Sequence, residues 1–198
     1  ADAVLANAAH AGFEDLAYAQ IASAPKHPEF NGKRLNEVAR RLLGRDDARA
    51  QAEAACRLMT DANGSRVSMV YHKMCEPDVE RILRAPFVAI ASDAGIRSRD
   101  GDDRPHPRGS GNNARLLGHY VRERKVVSLG LAVQKMTALP AEVFGLEGRG
   151  RIAEGMHADL VVFDPARVRD TATYDEPRGD PEGIPYVFVN GVLVIEAN

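Results

Sequence analysis

Over the first 148 residues, segments in which apolar positions have helical spacing alternate with segments that have a strand-like pattern. Apolar residues recur on one helical face over residues 32–43 and 47–59, and Gly44 stands where the first of these helices ends. Residues 16–24 and 67–74 are richer in strand-like patterns, and the turn dipeptide Asn63-Gly64 precedes the second of them. This mixture predicts an α/β chain.

The segment over residues 87–93 has the clearest chemical content. Five apolar or small residues lead directly into Ser92 and Asp93, and a loop rich in glycine and proline follows. A short strand without polar alternation is typical of a parallel sheet buried on both faces. Parallel barrels place their chemistry just past the C-terminal ends of such strands, which makes Asp93 the first candidate for a catalytic group. The alternative is an N-cap or turn aspartate, because Asp before Ala-Gly suits a turn.

The pattern changes after residue 148. Helical spacing over residues 113–124 and 129–137 gives way to short apolar runs at residues 160–163, 186–189 and 192–195. The last two runs flank Asn190-Gly191, which is a strong hairpin signal. We therefore expect a mostly β segment over residues 149–198.

Composition narrows the partners without identifying a function. The 198 residues carry a formal net charge of −2, with 44% hydrophobic and 27% charged residues. This balance argues against a nucleic-acid partner or an anionic membrane surface, and no apolar run approaches the length of about 20 residues that spans a bilayer. Two cysteines cannot form a disulfide framework or a zinc site alone, so we expect reduced thiols in a cytoplasmic protein.

Residues 150–164 resemble the C-terminal signature of the amidohydrolase superfamily, at the point where those chains leave the barrel for a small β-sandwich. Five upstream motifs narrow the resemblance to N-acyl-D-amino-acid deacylases, in which they occur in the same order. They are Ser92-Asp93-Ala94-Gly95, His106-Pro107-Arg108, Gly111-Asn112-Asn113-Ala114-Arg115, Lys135-Met136-Thr137 and Leu139-Pro140-Ala141.

The resemblance implies a fold class. Residues 1–148 would be the C-terminal part of a metal-dependent-hydrolase TIM-like (β/α)8 barrel, and residues 149–198 the C-terminal part of the β-sandwich domain. A lid-like helical insertion would occupy about residues 20–85, and the last barrel strand residues 87–93. Family members are more than twice this length, so we expect the N-terminal part of the barrel to come from the same polypeptide or from a separate subunit.

The resemblance also assigns roles to individual residues. The family aspartate that matches Asp93 takes a proton as water attacks the acyl carbonyl and delivers it to the departing amine; in binuclear relatives it also ligates a metal. Arg108 would bind the substrate α-carboxylate, because a planar guanidinium does so bidentately. His106 would touch the substrate or brace its loop, and Ser23 resembles a family serine near the substrate carboxylate. Arg108 shares its loop with Arg97, Arg99 and Arg104, so a solvated arginine is the alternative.

The expected activity is hydrolysis of the linear amide of a small N-acyl-D-amino acid by a metal-activated water, with zinc as the cofactor. The six histidines form neither His-x-His nor His-Glu-x-x-His, so the zinc ligands would lie mainly outside this chain. We therefore expect the chain alone to be inactive. Two alternatives stay open: a cyclic-amide hydrolase resembling dihydropyrimidinase, and a non-catalytic scaffold subunit derived from the same fold.

Overall fold

The computed structural model describes residues 1–96 and 98–197; Arg97 and Asn198 lie outside the described residues. The chain divides into two compact units. The first comprises residues 1–73, 96–106 and 174–177, and the second comprises residues 74–95, 107–173 and 178–198. The lid-like insertion predicted over residues 20–85 is therefore divided between the units at residue 73. The predicted boundary at residue 148 stays a prediction.

The first unit contains three helices and a two-stranded antiparallel sheet. Its elements in chain order are α1 (Asp2–His10), β1 (Ala19–Ser23), a 3-10 turn (Pro28–Phe30), α2 (Leu35–Leu43), α3 (Ala48–Asp61) and β2 (Ser68–Tyr71). Gly44 ends α2 in the left-handed conformation, and the Asp47 side chain caps α3 by accepting a hydrogen bond from the Ala50 amide at 3.0 Å. The helix boundaries read from the sequence are confirmed to within a few residues.

One hydrophobic core holds the first unit together. Ile21 of β1 and Val38 of α2 are fully buried, and α3 contributes a face of alanines and Leu58. Small side chains on α3 let α2 approach it closely. The first four residues of β1 are buried, so packing anchors the strand, and Ser23 stands at its end.

The second unit contains the remaining helices and a three-stranded sheet. Its helical elements are α4 (Glu76–Arg84), α5 (Arg108–Arg115), a π-helical segment (Leu116–Glu123), α6 (Leu129–Met136) and α7 (Ala138–Val143). Gly118 in the π-helical segment lies against the backbone of Val168, where an added Cβ would stand 2.6 Å from the carbonyl oxygen. Close approach at this point requires glycine.

Prolines set the start of two helices in the second unit. The α5 helix begins at Arg108, directly after Pro107, so Asn113 lies inside the helix and does not cap it. The α4 helix begins at Glu76 with a proline in its first turn, so Asp78 lies in that turn and does not cap the helix. In both cases a proline, whose backbone is already set for helix entry, decides the start.

The C-terminal strands form the antiparallel sheet β3–β4–β5, with β3 (Leu160–Val162), β4 (Tyr186–Val189) and β5 (Val192–Glu196). The hairpin predicted at Asn190-Gly191 is confirmed, and both turn residues have positive φ, 50° and 80°. All five residues of β5 are exposed, although four of them are apolar. This chain therefore leaves an apolar sheet surface uncovered.

Residues 87–93 form no strand in this chain, and their place as the last barrel strand stays a prediction. The segment is irregular, and its side chains are half-buried or exposed rather than buried on both faces; Phe87 is 80% exposed. Strand geometry is maintained by a hydrogen-bonded neighbour, and within the described residues no strand pairs with this segment.

No helix in the described ranges has the length and apolar character to cross a membrane.

Candidate functional site

Asp93 ends the irregular segment in an uncommon backbone conformation. Its φ is +48°, in the left-handed region, which Asp and Asn enter more readily than other residues with a side chain. Its side chain is 84% exposed. The carboxylate thus projects from the second unit into solvent, and its conformation depends on the contacts that hold residues 85–93.

Arg108, the first residue of α5, holds the end of this segment. Its Nη2 lies 2.7 Å from the Asp93 backbone oxygen and 2.7 Å from Asp93 Oδ2. The structure thus brings together two of the residues singled out from the sequence. Because the pair is largely exposed, it orients the carboxylate more than it stabilises the fold.

Ser23 lies at an irregular point of β1 in the first unit. The register of the β1–β2 pair shifts between Ile21 and Ser23, so the Ala22 carbonyl does not continue the regular ladder. That carbonyl instead accepts a hydrogen bond from the Arg104 amide at 2.6 Å. The bulge therefore fixes Arg104 next to Ser23 along the backbone.

Arg104 is a residue that the sequence analysis did not select. The aliphatic part of its side chain packs against Gly32, where an added Cβ would lie 3.3 Å from Arg104 Cγ. Among the described residues, no hydrogen bond or ion pair engages its guanidinium, whereas Asp93 engages that of Arg108. The only signal in the sequence was the four arginines of one loop, which by itself did not distinguish one from another.

His106 belongs to a cluster of aromatic rings in the first unit. Its Nε2 lies 3.2 Å from the Tyr174 hydroxyl, and the two rings meet edge to face at 5.1 Å. The Tyr174 ring also lies near that of His72, with ring centroids 4.5 Å apart. The sequence did not indicate Tyr174, because it lies in an irregular stretch 68 residues further along the chain.

The hydrogen bonds of His72 fix its tautomer. The buried Gln20 donates from Nε2 to the Gly32 carbonyl at 3.1 Å, so its Oε1 faces His72 Nε2 at 2.8 Å. That nitrogen therefore carries a hydrogen. Burial, assisted by the positive charge of Arg34, lowers the pKa of His72 and favours the neutral ring. A neutral histidine with one nitrogen engaged in this way is a bracing group.

The described residues do not assemble a catalytic zinc site by themselves. Nowhere in residues 1–96 and 98–197 do three His, Cys, Asp or Glu side chains converge within ligating distance. Cys56 is half-buried, and Cys75 is exposed with its thiol 3.2 Å from Asp78 Oδ2. A zinc site of the usual type needs three protein ligands, so this donor set does not fit one.

Comparison with known proteins identifies relatives over most of the chain. The amidohydrolase family model matches residues 2–195. The D-aminoacylase of Alcaligenes xylosoxydans xylosoxydans is 44% identical over 168 residues, which are 84% of this chain and 31% of that protein. A crystal structure of N-acyl-D-glutamate deacylase from Bordetella bronchiseptica, complexed with zinc and a phosphonate inhibitor, is 41% identical with a TM-score of 0.77; the match covers 90% of this chain and 35% of that one.

A shorter match involves a different activity. The dihydroorotase of Endomicrobium trichonymphae is 51% identical over 49 residues, which are 25% of this chain and 12% of that protein. The deacylase matches extend over more than three times as many residues. The chain spans about a third of the length of the deacylases it matches.

Proposed function

The chain belongs to the amidohydrolase family, and we propose that it is the C-terminal portion of a zinc-dependent N-acyl-D-amino-acid deacylase. The observation that carries the proposal is the match to a D-aminoacylase over 84% of the chain, combined with an aspartate held in a left-handed conformation by Arg108. The reaction would hydrolyse a linear amide to a carboxylate and a free D-amino acid. Part of a (β/α)8 barrel followed by part of a β-sandwich is the corresponding architecture.

Asp93 is the proposed proton-transfer group. A carboxylate that accepts a proton from the attacking water and returns it to the departing nitrogen lowers the barrier in both halves of the reaction. Asp93 is suited to this role because its carboxylate is accessible and its orientation is set by Arg108. In relatives with two metals the same group would also be a ligand.

Zinc is the proposed cofactor, held mainly by residues outside this chain. Zinc in such enzymes lowers the pKa of the attacking water towards neutrality. Asp93 is the one residue of this chain that we assign to the metal's neighbourhood. The remaining ligands would come from the N-terminal part of the barrel, as the chain's share of its relatives' length suggests.

Recognition of the substrate α-carboxylate requires a cation, and two arginines are candidates. Arg108 is a candidate because of its motif, and its ion pair with Asp93 also orients that carboxylate. Arg104 is favoured because its backbone amide bonds to the Ala22 carbonyl, one residue before Ser23, and a guanidinium with a hydroxyl would suit a carboxylate. His106 is proposed to brace this loop through Tyr174, or to touch the substrate.

The uncovered C-terminal sheet supports the proposal that further polypeptide completes the fold. An exposed strand with four apolar residues is unfavourable in water unless another layer covers it.

A cytoplasmic location is proposed because both cysteines are free thiols.

The test is reconstitution. The chain alone, supplied with zinc, is expected to be inactive towards N-acetyl-D-methionine and N-acetyl-D-glutamate, whereas the complete polypeptide or the chain mixed with its N-terminal complement is expected to turn them over. Asp93→Asn keeps the left-handed backbone accessible and removes the proton acceptor, so it should lower kcat by about 10²–10⁴-fold. Asp102→Asn, a carboxamide on the same exposed loop, is the matched control and should retain activity.

Two results would contradict the proposal. Hydrolysis of hydantoin in preference to either N-acyl-D-amino acid would indicate the cyclic-amide hydrolase. Zinc-loaded, correctly assembled protein without any amide hydrolysis would indicate the scaffold subunit.

A further inference from the structure

Lys135 is a fully buried cation that the proposed reaction does not use. It lies near the end of α6, and its side chain is among the largest with no solvent exposure in the described chain. Burial lowers the pKa of its ammonium group. A buried lysine is costly unless its ammonium donates hydrogen bonds, so its contacts are informative.

Those contacts all run to the segment that carries Asp93. The ammonium donates hydrogen bonds to two backbone carbonyls, those of Ala85 and Val88; Nζ lies 2.8 Å from the latter. The Lys135 carbonyl in turn accepts a hydrogen bond from the Ile90 amide at 3.0 Å. One residue thus fixes three backbone groups within six residues, from 85 to 90.

This arrangement takes the place of a strand ladder. Residues 87–93 have no paired strand within the described part of the chain, so their backbone geometry depends on individual contacts. Lys135 secures the beginning of the segment, and Arg108 secures its end at the Asp93 carbonyl, 2.7 Å away. Rigid attachment at both ends is what an aspartate with φ of +48° requires, because that conformation is unfavourable in a free chain.

We propose that Lys135 is a positioning residue for Asp93: its ammonium and carbonyl clamp the backbone of residues 85–90 and so fix where the Asp93 carboxylate stands. The functional half of this inference rests on the proposed deacylase activity, whereas the structural half does not. Methionine at position 135 would fill a similar volume but donate no hydrogen bond, so the two carbonyls would lose their partners and the segment would loosen.

The structural half is tested by amide hydrogen exchange. Lys135→Met should accelerate exchange of the Ile90 amide by about tenfold or more, because the ammonium no longer holds the carbonyls of Ala85 and Val88 and the segment separates more often from the backbone carbonyl of residue 135. Lys125→Met, which removes an exposed lysine of the same unit, should leave Ile90 exchange unchanged. Equal Ile90 exchange in wild type and Lys135→Met would overturn the clamp.

Wild-type protein offers a second measurement if Lys135→Met does not fold. Reductive methylation with formaldehyde followed by mass spectrometry should modify Lys125 and leave Lys135 unmodified, because the buried ammonium is held by two carbonyls. Methylation of both lysines at similar rates would overturn the inference.

The functional half is tested in the complete polypeptide. Lys135→Met should lower kcat by about 10²-fold with KM within about threefold of wild type, because it displaces a reacting group without touching the substrate. In the Asp93→Asn background the same substitution should have little further effect on kcat. Multiplicative losses in the double variant would show that Lys135 does not act through Asp93. Absence of deacylase activity in wild type would refute the proposed function and leave the exchange result standing.

Discussion

Gln51 is the buried polar side chain that ties α3 to the chain entering β1, and its removal is expected to destabilise the first unit. It is 1% exposed, and its Oε1 accepts a hydrogen bond from the Leu16 amide at 2.8 Å. Its Nε2 donates to the Asp46 carbonyl at 2.7 Å and to Asp15 Oδ2 at 3.2 Å. The strand β1, which carries Ser23, begins three residues after Leu16, so the hydrogen bonds of Gln51 help to hold this strand in place.

The magnitude follows from what each partner loses. Leu16 is 4% exposed, so its amide finds no water when the acceptor is removed, which costs about 1–3 kcal/mol. The Asp46 carbonyl and the Asp15 carboxylate lie in more accessible residues and can be rehydrated. Loss of packed side-chain volume adds about 1 kcal/mol. We expect Gln51→Ala to lower the free energy of unfolding by about 3 kcal/mol, and Gln51→Met, which preserves volume, by about 2 kcal/mol.

Urea unfolding of the chain, followed by far-UV circular dichroism, measures this difference directly; the sequence has no tryptophan to report on it by fluorescence. Gln134→Ala, on the exposed face of α6, is the matched control and should change stability by less than about 0.5 kcal/mol. If Gln51→Ala and Gln134→Ala have the same effect, the amide of Leu16 does not depend on this side chain and the reasoning is refuted.

Three further predictions concern the rest of the chain. Gly183→Ala should lower the free energy of unfolding by more than roughly 2 kcal/mol, because φ is +77° and an added Cβ would lie 2.5–2.7 Å from backbone atoms. Gly12→Ala, where φ is +82° and no atom lies within 4 Å of the added Cβ, should lower it by only about 1 kcal/mol. Equal losses in the two variants would contradict this prediction. Burial raises the pKa of Tyr120 to about 12, so stability should fall by up to about 2 kcal/mol between pH 10 and pH 12, and Tyr120→Phe should remove this part of the fall in urea titrations. In the complete polypeptide, Arg104→Met should chiefly raise KM and Arg108→Met should chiefly lower kcat; the reverse pattern would exchange their proposed roles.

The sign of the Tyr120 prediction follows from the direction of the shift. A tyrosine whose pKa is higher in the folded than in the unfolded chain holds its proton more tightly when folded. Its contribution to stability is therefore complete below pH 10 and is lost as the pH rises towards 12. A Tyr120→Phe variant with the same alkaline loss as wild type would show that other groups account for it.

Local rules in the sequence were sufficient for much of the secondary structure. Gly44 and Asp47 marked the end of α2 and the start of α3, and Asn190-Gly191 marked the hairpin, because each requirement involves only a few neighbouring residues. The order of the motifs also predicted the family, and the family match over residues 2–195 confirms it. Asp93 was selected in the same way, and its role stays a prediction.

Tertiary structure decided the features that depend on distant parts of the chain. Residues 87–93 have the pattern of a buried strand, but a strand forms only where a neighbour supplies hydrogen bonds, and in the described residues Lys135 and Arg108 supply them instead. Arg104 was indistinguishable from its neighbours until the bulge of β1 fixed it beside Ser23. Sequence patterns indicate which side chains prefer burial or turns. Hydrogen bonds between residues far apart in the sequence depend on how the chain folds, so local patterns do not predict them.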